Sequence, residues 1–347
     1  EAVVEELEQA TGRRFGSGPE PLLVSVRSGA ARSMPGMMDT ILNAGLHPGL
    51  AEELPDRAQF WGVYQAFLRQ FGRTVADIPD EAFDEAAQTA GDADDGEAAA
   101  MASLRVYRER TGEAFPDSPW KTLRACIDAV FASWNNERAV IYRRAHGLQG
   151  LAGTAVTVQA MFNSDVSGIT FTANPSAPDA DQLVIESAYG LGESIVSGDV
   201  TPDRFVLDRG TREILEREIG RKDSVLTGLG SDAARSYDPE APSLTDEQID
   251  ELVSLALRVE DYFGHPVDIE WGWSAGRFAL LQSRAIRGLE TAREAENVRR
   301  EEIARLRKQA EATGGGKVWV AHNLGETLDL PTPMSWDLVG GFMTGNG

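Results

Sequence analysis

The chain has 347 residues, enough for two or more domains and a sizeable core. Thirty-three basic against 55 acidic residues give a formal charge of −22, and a surface so acidic repels nucleic acid and anionic membranes, so neither is expected as a partner. No apolar run approaches the ~18 residues that span a bilayer, the acidic start Glu1-Ala2-Val3-Val4-Glu5-Glu6 is unlike a signal peptide, and a single cysteine, Cys126, fits a reducing cytoplasm.

Residues 3–10 read as the end of a helix, with Thr11 to Phe15 as its exit. Leu22-Leu23-Val24 is a short apolar run feeding a turn of small residues, Ser25 to Ser33. Met34-Pro35-Gly36 follows, then an expected helix start at Asp39. Small residues let a backbone approach a ligand, and N–H groups ahead of a helix favour an anion. Arg27 and Arg32 add fixed charge suited to bidentate phosphate contacts. On spacing alone an ordinary strand-to-helix loop with two solvated arginines is the better reading, because this is neither a P-loop nor a G-x-G-x-x-G fingerprint.

Residues 58–72 carry Phe60, Val63, Tyr64, Phe67, Leu68 and Phe71 at helical spacing, an aromatic stripe suited to a core. Residues 80–103 are rich in Ala, Asp and Glu, with Gly91 to Gly96 as a solvated loop tip. Helices are predicted over 101–111 and 119–134, making 46–124 a mostly helical insertion. From Arg138 the period changes. Strands are predicted at Ala139-Val140-Ile141-Tyr142, Gly153 to Phe162, Ser167 to Thr172, Gln182 to Glu186 and Phe205 to Leu207. A helix fits 245–263, a hairpin turning at Ser274 to Arg277 fits 267–284, and a charged helix fits 291–312.

The hairpin is the second informative site. Asp268 and Glu270 lie two apart on one strand and share a face, as do Gln282 and Arg284 on its return. If the faces coincide, two acids, an amide and a guanidinium meet. Hard oxygen ligands of this kind suit Mg²⁺, and the arginine suits a phosphate. On pattern alone a solvated amphipathic face with cross-strand ion pairs is the better reading.

Resemblance adds to this. VRSGAARSMPGMMDTILN resembles the phosphate-covering loop in the ATP-binding domain of pyruvate phosphate dikinases, with a looser version in phosphoenolpyruvate synthases and antibiotic dikinases. Val267-Asp268-Ile269-Glu270-Trp271 with Leu281-Gln282-Ser283-Arg284 is similar to the D-I-E…L-Q-x-R segment that closes the same domain. Gln159-Ala160-Met161 resembles its V-Q-x-M adenine hinge. The resemblance implies an α+β, ATP-grasp-like domain binding ATP and Mg²⁺ between two lobes. Residues 1–45 and 125–165 would form the first lobe, 46–124 a helical insertion, 166–288 the second lobe, and 289–347 a linker helix and the start of the next segment.

Carried over by position, Arg27 contacts phosphate, and Gly36 and Thr40 lie along the covering loop. Gln159 and Met161 hold adenine, Glu270 and Gln282 bind nucleotide and metal with Asp268 behind them, and Arg284 binds phosphate. Glu186, ahead of the glycine-punctuated stretch to Glu193, would approach ribose or metal, although a surface carboxylate fits as well. The family pattern reads GARAS where this chain has Gly29-Ala30-Ala31-Arg32-Ser33, so no role passes to Arg32.

In the family the β-phosphoryl group of ATP passes to a histidine on a swivelling domain and then to an acceptor domain, as in pyruvate–phosphoenolpyruvate interconversion. None of His47, His146, His265 and His322 stands in such a motif, and both chain ends read as cuts in a longer protein. Residues 317–338 resemble the beginning of the following segment. An antibiotic dikinase would share this module, and a regulatory module would keep its fold without turnover.

Overall fold

The computed structural model describes residues 2–30, 34, 37–89, 96–198, 200–222, 225–230, 237–286 and 288–312. The chain divides into two compact units, Glu1–Arg287 and Gly288–Gly347. In the second, the described part is one helix, Leu289–Ala312.

The first unit opens with helix α1 (Ala2–Thr11) and builds a three-stranded antiparallel sheet in the order β2 (Thr40–Ala44), β1 (Val24–Ala30), β3 (Thr154–Ala160). The helix expected from Asp39 is instead strand β2. Thr40 and Ile41 are β-branched, and Ile41 and Ala44 pair with the inward-facing Val26 and Val24 and join the same core, so burial against β1 outweighs the turn signal before it.

Between β2 and β3 run α2 (Arg57–Ala76), α3 (Asp80–Thr89), α4 (Gly96–Thr111), α5 (Pro119–Ala132) and α6 (Glu137–Ala145). The stripe on α2 is core as expected, with Phe60, Tyr64, Phe67 and Phe71 fully buried in one cluster with Val24, Val26, Ile41 and Leu123. Asp56 caps α2 by accepting from Gln59 N–H, and Ser118 caps α5 by accepting from Lys121 N–H. The strand expected at Ala139–Tyr142 is a turn of α6. Ala139 and Arg143 are buried four apart while Ile141 is exposed, and Glu137 at the start with Arg143 and Arg144 at the end suit the helix dipole.

The chain then builds a six-stranded antiparallel sheet in the order β7 (Ile214–Glu218), β6 (Asp203–Asp208), β5 (Gln182–Tyr189), β4 (Val166–Phe171), β8 (Val267–Ser274), β9 (Arg277–Ala285). A short helix, α7 (Glu193–Ser197), follows β5. Helix α8 (Asp246–Phe263) starts with a complete capping box: Thr245 Oγ1 accepts from Gln248 N–H, and Gln248 Oε1 accepts from Thr245 N–H. It supplies Ile249, Leu252 and Val253 to a second core with Leu183, Ile185, Phe205 and Trp271. A Cβ on Gly168 would stand 2.2 Å from Glu186 C=O and 2.5 Å from the Trp271 ring, so only glycine lets β4 lie under that indole. The turn expected from Ser25 is strand as far as Ala30, because β1 pairs residue by residue with β3 from Val24 to Ala30, and β7 is a second strand the pattern missed. Four of its five residues are exposed, which leaves no apolar period to read.

A cleft between two polar sheet faces

Each sheet packs one apolar face on helices, and part of its other face carries polar residues. On the three-stranded sheet, Val24, Val26 and Ile41 enter the core, while Ser25, Arg27, Thr40, Leu42 and Gln159 line a cleft of about 1070 Å³. On the six-stranded sheet the alternation that sends Val267, Ile269 and Trp271 into the core turns Asp268 and Glu270 the other way. The register then settles the hairpin: Glu270 stands opposite Gln282 and Asp268 opposite Arg284. The two faces expected from the sequence therefore coincide.

Arg27 crosses from one sheet to the other. Its Nη2 donates to Glu270 Oε2 and to Gln282 Oε1, both at 2.6 Å, and its Nη1 donates to Gln159 Oε1 at 3.3 Å. Arg284 donates from Nε to Asp268 Oδ1 at 3.0 Å and from Nη2 to Glu270 Oε1 at 3.1 Å. Each carboxylate oxygen of Glu270 thus holds a guanidinium, and Glu270 is only 16% exposed. A planar fork suits this bridging better than an ammonium would. Burial pushes the Asp268 carboxyl up, against the downward pull of its Arg284 partner.

The other expected residues divide. Thr40 pairs with Arg27 across β1–β2 and lines the cleft. Gln159 does so too, and its Nε2 donates to Leu281 C=O at 3.2 Å, a second tie to β9. Met161 lines the cleft, but its N–H already donates to Leu23 C=O at 2.8 Å, so an adenine edge would be read by other atoms of 159–162. Glu186 faces the same side of the sheet as Glu270, separated from it by Ile169, and is not among the lining residues. Gly36 lies outside the described residues, as do Arg32, His322 and the 317–338 segment. His47 meets Gly16 C=O at 2.8 Å, His146 packs on Tyr142 and His265 meets Pro266 C=O at 3.1 Å; none of these three lines the cleft.

Sequence reasoning missed the far end of the cleft, where Arg73 at the end of α2 and Arg138 on α6 line it. Arg138 and Asn136 both donate to the Asp39 carboxylate, tying the start of β2 to α6. The acidic start and basic end of 137–145 were the available signal for that helix.

A family model described as pyruvate phosphate dikinase, AMP/ATP-binding domain, matches residues 1–305. The chain belongs to this family. Among curated relatives it is 33% identical over 312 residues to pyruvate, phosphate dikinase of Rhizobium meliloti (strain 1021), covering 84% of this chain and 32% of that protein. It is 34% identical over 307 residues to pyruvate, phosphate dikinase 1, chloroplastic, of Oryza sativa subsp. japonica, covering 82% and 29%. A probable phosphoenolpyruvate synthase of Methanocaldococcus jannaschii is 32% identical over 213 residues, covering 58% and 18%. The chain spans a third or less of the length of these dikinase-family relatives.

Among the described residues no cluster of three or more His, Cys, Asp or Glu side chains is placed to hold a metal ion, and no helix is long and apolar enough to cross a membrane. Glu270 Oε2 and Gln282 Oε1 converge on Arg27 Nη2, whereas Asp268, held by Arg284, is not among the residues that line the cleft. A carboxylate with an amide oxygen fits Mg²⁺, which takes one or two carboxylates and completes its shell with water and substrate phosphates.

Proposed function

We propose that the cleft binds Mg·ATP as the nucleotide module of a dikinase, and that the β-phosphoryl group leaves it for a histidine on another domain. The interconversion of pyruvate and phosphoenolpyruvate is the reaction this would serve. The observation that carries the reading is the meeting of Arg27 and Arg284, from opposite sheets, on one carboxylate. Phosphoryl transfer asks a protein mainly for positioning and charge neutralisation. Two guanidiniums arriving from two sides can flank a phosphate chain, and Glu270 with Gln282 would hold Mg²⁺, which supplies further positive charge at the phosphates when bound. Asp268 orients Arg284. Gln159 and the Met161 thioether, both lining the cleft, are the groups we assign to the base.

In this arrangement Arg27 would exchange Glu270 for phosphate, leaving the carboxylate free to hold Mg²⁺. No histidine of the described cleft can accept the phosphoryl group. The test is incubation with Mg²⁺ and ATP labelled at the β or the γ position. Label from the β position should appear on a histidine outside this chain when the histidine-bearing domain is supplied, and Arg27→Ala should abolish it. Stable label on His47, His146, His265 or His322, lost on changing that residue to alanine, would overturn the assignment.

A further inference from the structure

We propose that Lys222 is a positioning residue whose ion pair with Asp203 anchors a strap, described at residues 220–222 and 225–230, that fixes the geometry between the two sheets. Within the first unit the chain crosses from the three-stranded to the six-stranded sheet once, between the end of β3 at Ala160 and the start of β4 at Val166. That crossing contributes Met161, Phe162 and Ser164 to the cleft wall, so its conformation decides how Arg27 meets Glu270.

The anchor is wholly buried. Lys222 and Asp203 side chains are both 0% exposed, with Lys222 Nζ at 2.5 Å from Asp203 Oδ1 and 2.8 Å from Gly220 C=O. Gly220 N–H donates to the same Oδ1, and Ser243 donates from N–H and Oγ to Oδ2, each at 2.7 Å. Every acceptor of the carboxylate is thus used. An isolated buried pair is weak evidence for stability, and an apolar pair of similar volume often serves as well, so its value here lies in fixing one geometry.

From that anchor the strap reaches the other half of the unit. Leu226 C=O accepts from Leu191 N–H at 2.7 Å, and Leu191, Gly192 and Glu193 line the cleft. Leu229 C=O accepts from the Asn163 amide, inside the crossing itself. Gly230 N–H donates to Gln59 Oε1 on α2 at 3.0 Å. Leu229 is buried, and Leu226 packs, in the core that α2 shares with the three-stranded sheet. One segment rooted under β6 therefore grips the crossing, a cleft-lining turn and the helical core together.

The consequence for ligand affinity rests on the nucleotide reading of the cleft; the consequence for sheet geometry does not. Cys126, the single cysteine, is buried, so Glu109→Cys on α4 and Glu251→Cys on α8 can be spin-labelled selectively and the distribution of distances between them measured. Lys222→Met, and Asp203→Asn with Lys222→Met to avoid a stranded acid, should fold cooperatively with a broadened distribution. Mg·ATP affinity of the whole protein should fall by about tenfold or more, and Lys222→Arg should restore part of both. Should both Met variants fail to fold, Asn163→Ala, which releases the strap at the crossing, carries the same expectation. A folded variant with the parent's distance distribution overturns the strap. A broadened distribution with unchanged nucleotide affinity overturns the strap's control of the cleft, whereas a parent protein that binds no Mg·ATP refutes the nucleotide reading and leaves the geometric arm standing.

Discussion

Replacing Glu270 by glutamine tests the cleft's charge arrangement with a change of almost no volume. The carboxylate accepts from Arg27 at 2.6 Å on one oxygen and from Arg284 at 3.1 Å on the other. A glutamine has one acceptor oxygen, so one guanidinium meets an N–H instead and the other keeps only a neutral acceptor. Losing a charge-assisted bond costs about 1.5–3 kcal/mol and weakening the second about 1 kcal/mol. Part is recovered, because Arg27 keeps Gln282 and Gln159 and Arg284 keeps Asp268. The net expectation is a loss of about 2 kcal/mol in the ligand-free protein, read by denaturant unfolding as a lower midpoint at constant slope. Glu270→Gln should also weaken Mg²⁺-dependent nucleotide binding more than Asp268→Asn does, as calorimetry would report. A Glu270→Gln protein as stable as the parent, or losses in the reverse order, would refute the reasoning.

Three further outcomes follow from single sites. Burial raises the Asp268 carboxyl above its ordinary value of 3.8, so the fold holds that proton more tightly than the unfolded chain. Its contribution to stability is full below the ordinary value and is lost as pH rises through the raised one, so the stability of the parent relative to Asp268→Asn should fall across that window; a rise would contradict the direction. The Cys126 thiol, fully buried and pushed up to about 12 mainly by burial, should resist thiol reagents in the native protein and react on unfolding, whereas rapid native labelling would contradict its placement in the core. Thr245→Ala removes one half of the capping box of α8 and should cost about 1 kcal/mol, with no change in nucleotide affinity; thermal melting and calorimetry check both halves.

What was legible in the sequence was what period and side-chain chemistry encode locally. The aromatic stripe from Phe60 to Phe71, the alternation through Val267 to Trp271 and the Thr245-x-x-Gln248 cap each specify an element from within it. The polar patch of the hairpin was half legible. Period two puts Asp268 with Glu270, but the register that sets them against Arg284 and Gln282 comes from a turn and a bulge beyond Glu270. That Arg27, more than two hundred residues earlier, closes on Glu270 is a tertiary fact, visible beforehand only through family resemblance. Thr40 to Ala44 and Ala139 to Tyr142 misled for opposite reasons. A loop-like approach hid a buried strand, and a β-branched run hid a helix whose exposed face carries Ile141. Lys222 gave no signal at all, since a lone lysine near a sheet normally points to water and here its partner is nineteen residues away.

The most direct test of the account is a crystal structure of the protein with a non-hydrolysable ATP analogue and Mn²⁺ in place of Mg²⁺, the metal located by its anomalous signal. The account predicts the metal on Glu270 and Gln282 and the phosphate chain between Arg27 and Arg284, with Arg27 moved off the Glu270 carboxylate. A nucleotide bound elsewhere, or bound in the cleft with the Arg27–Glu270 pair still closed and no metal at Glu270, would contradict it.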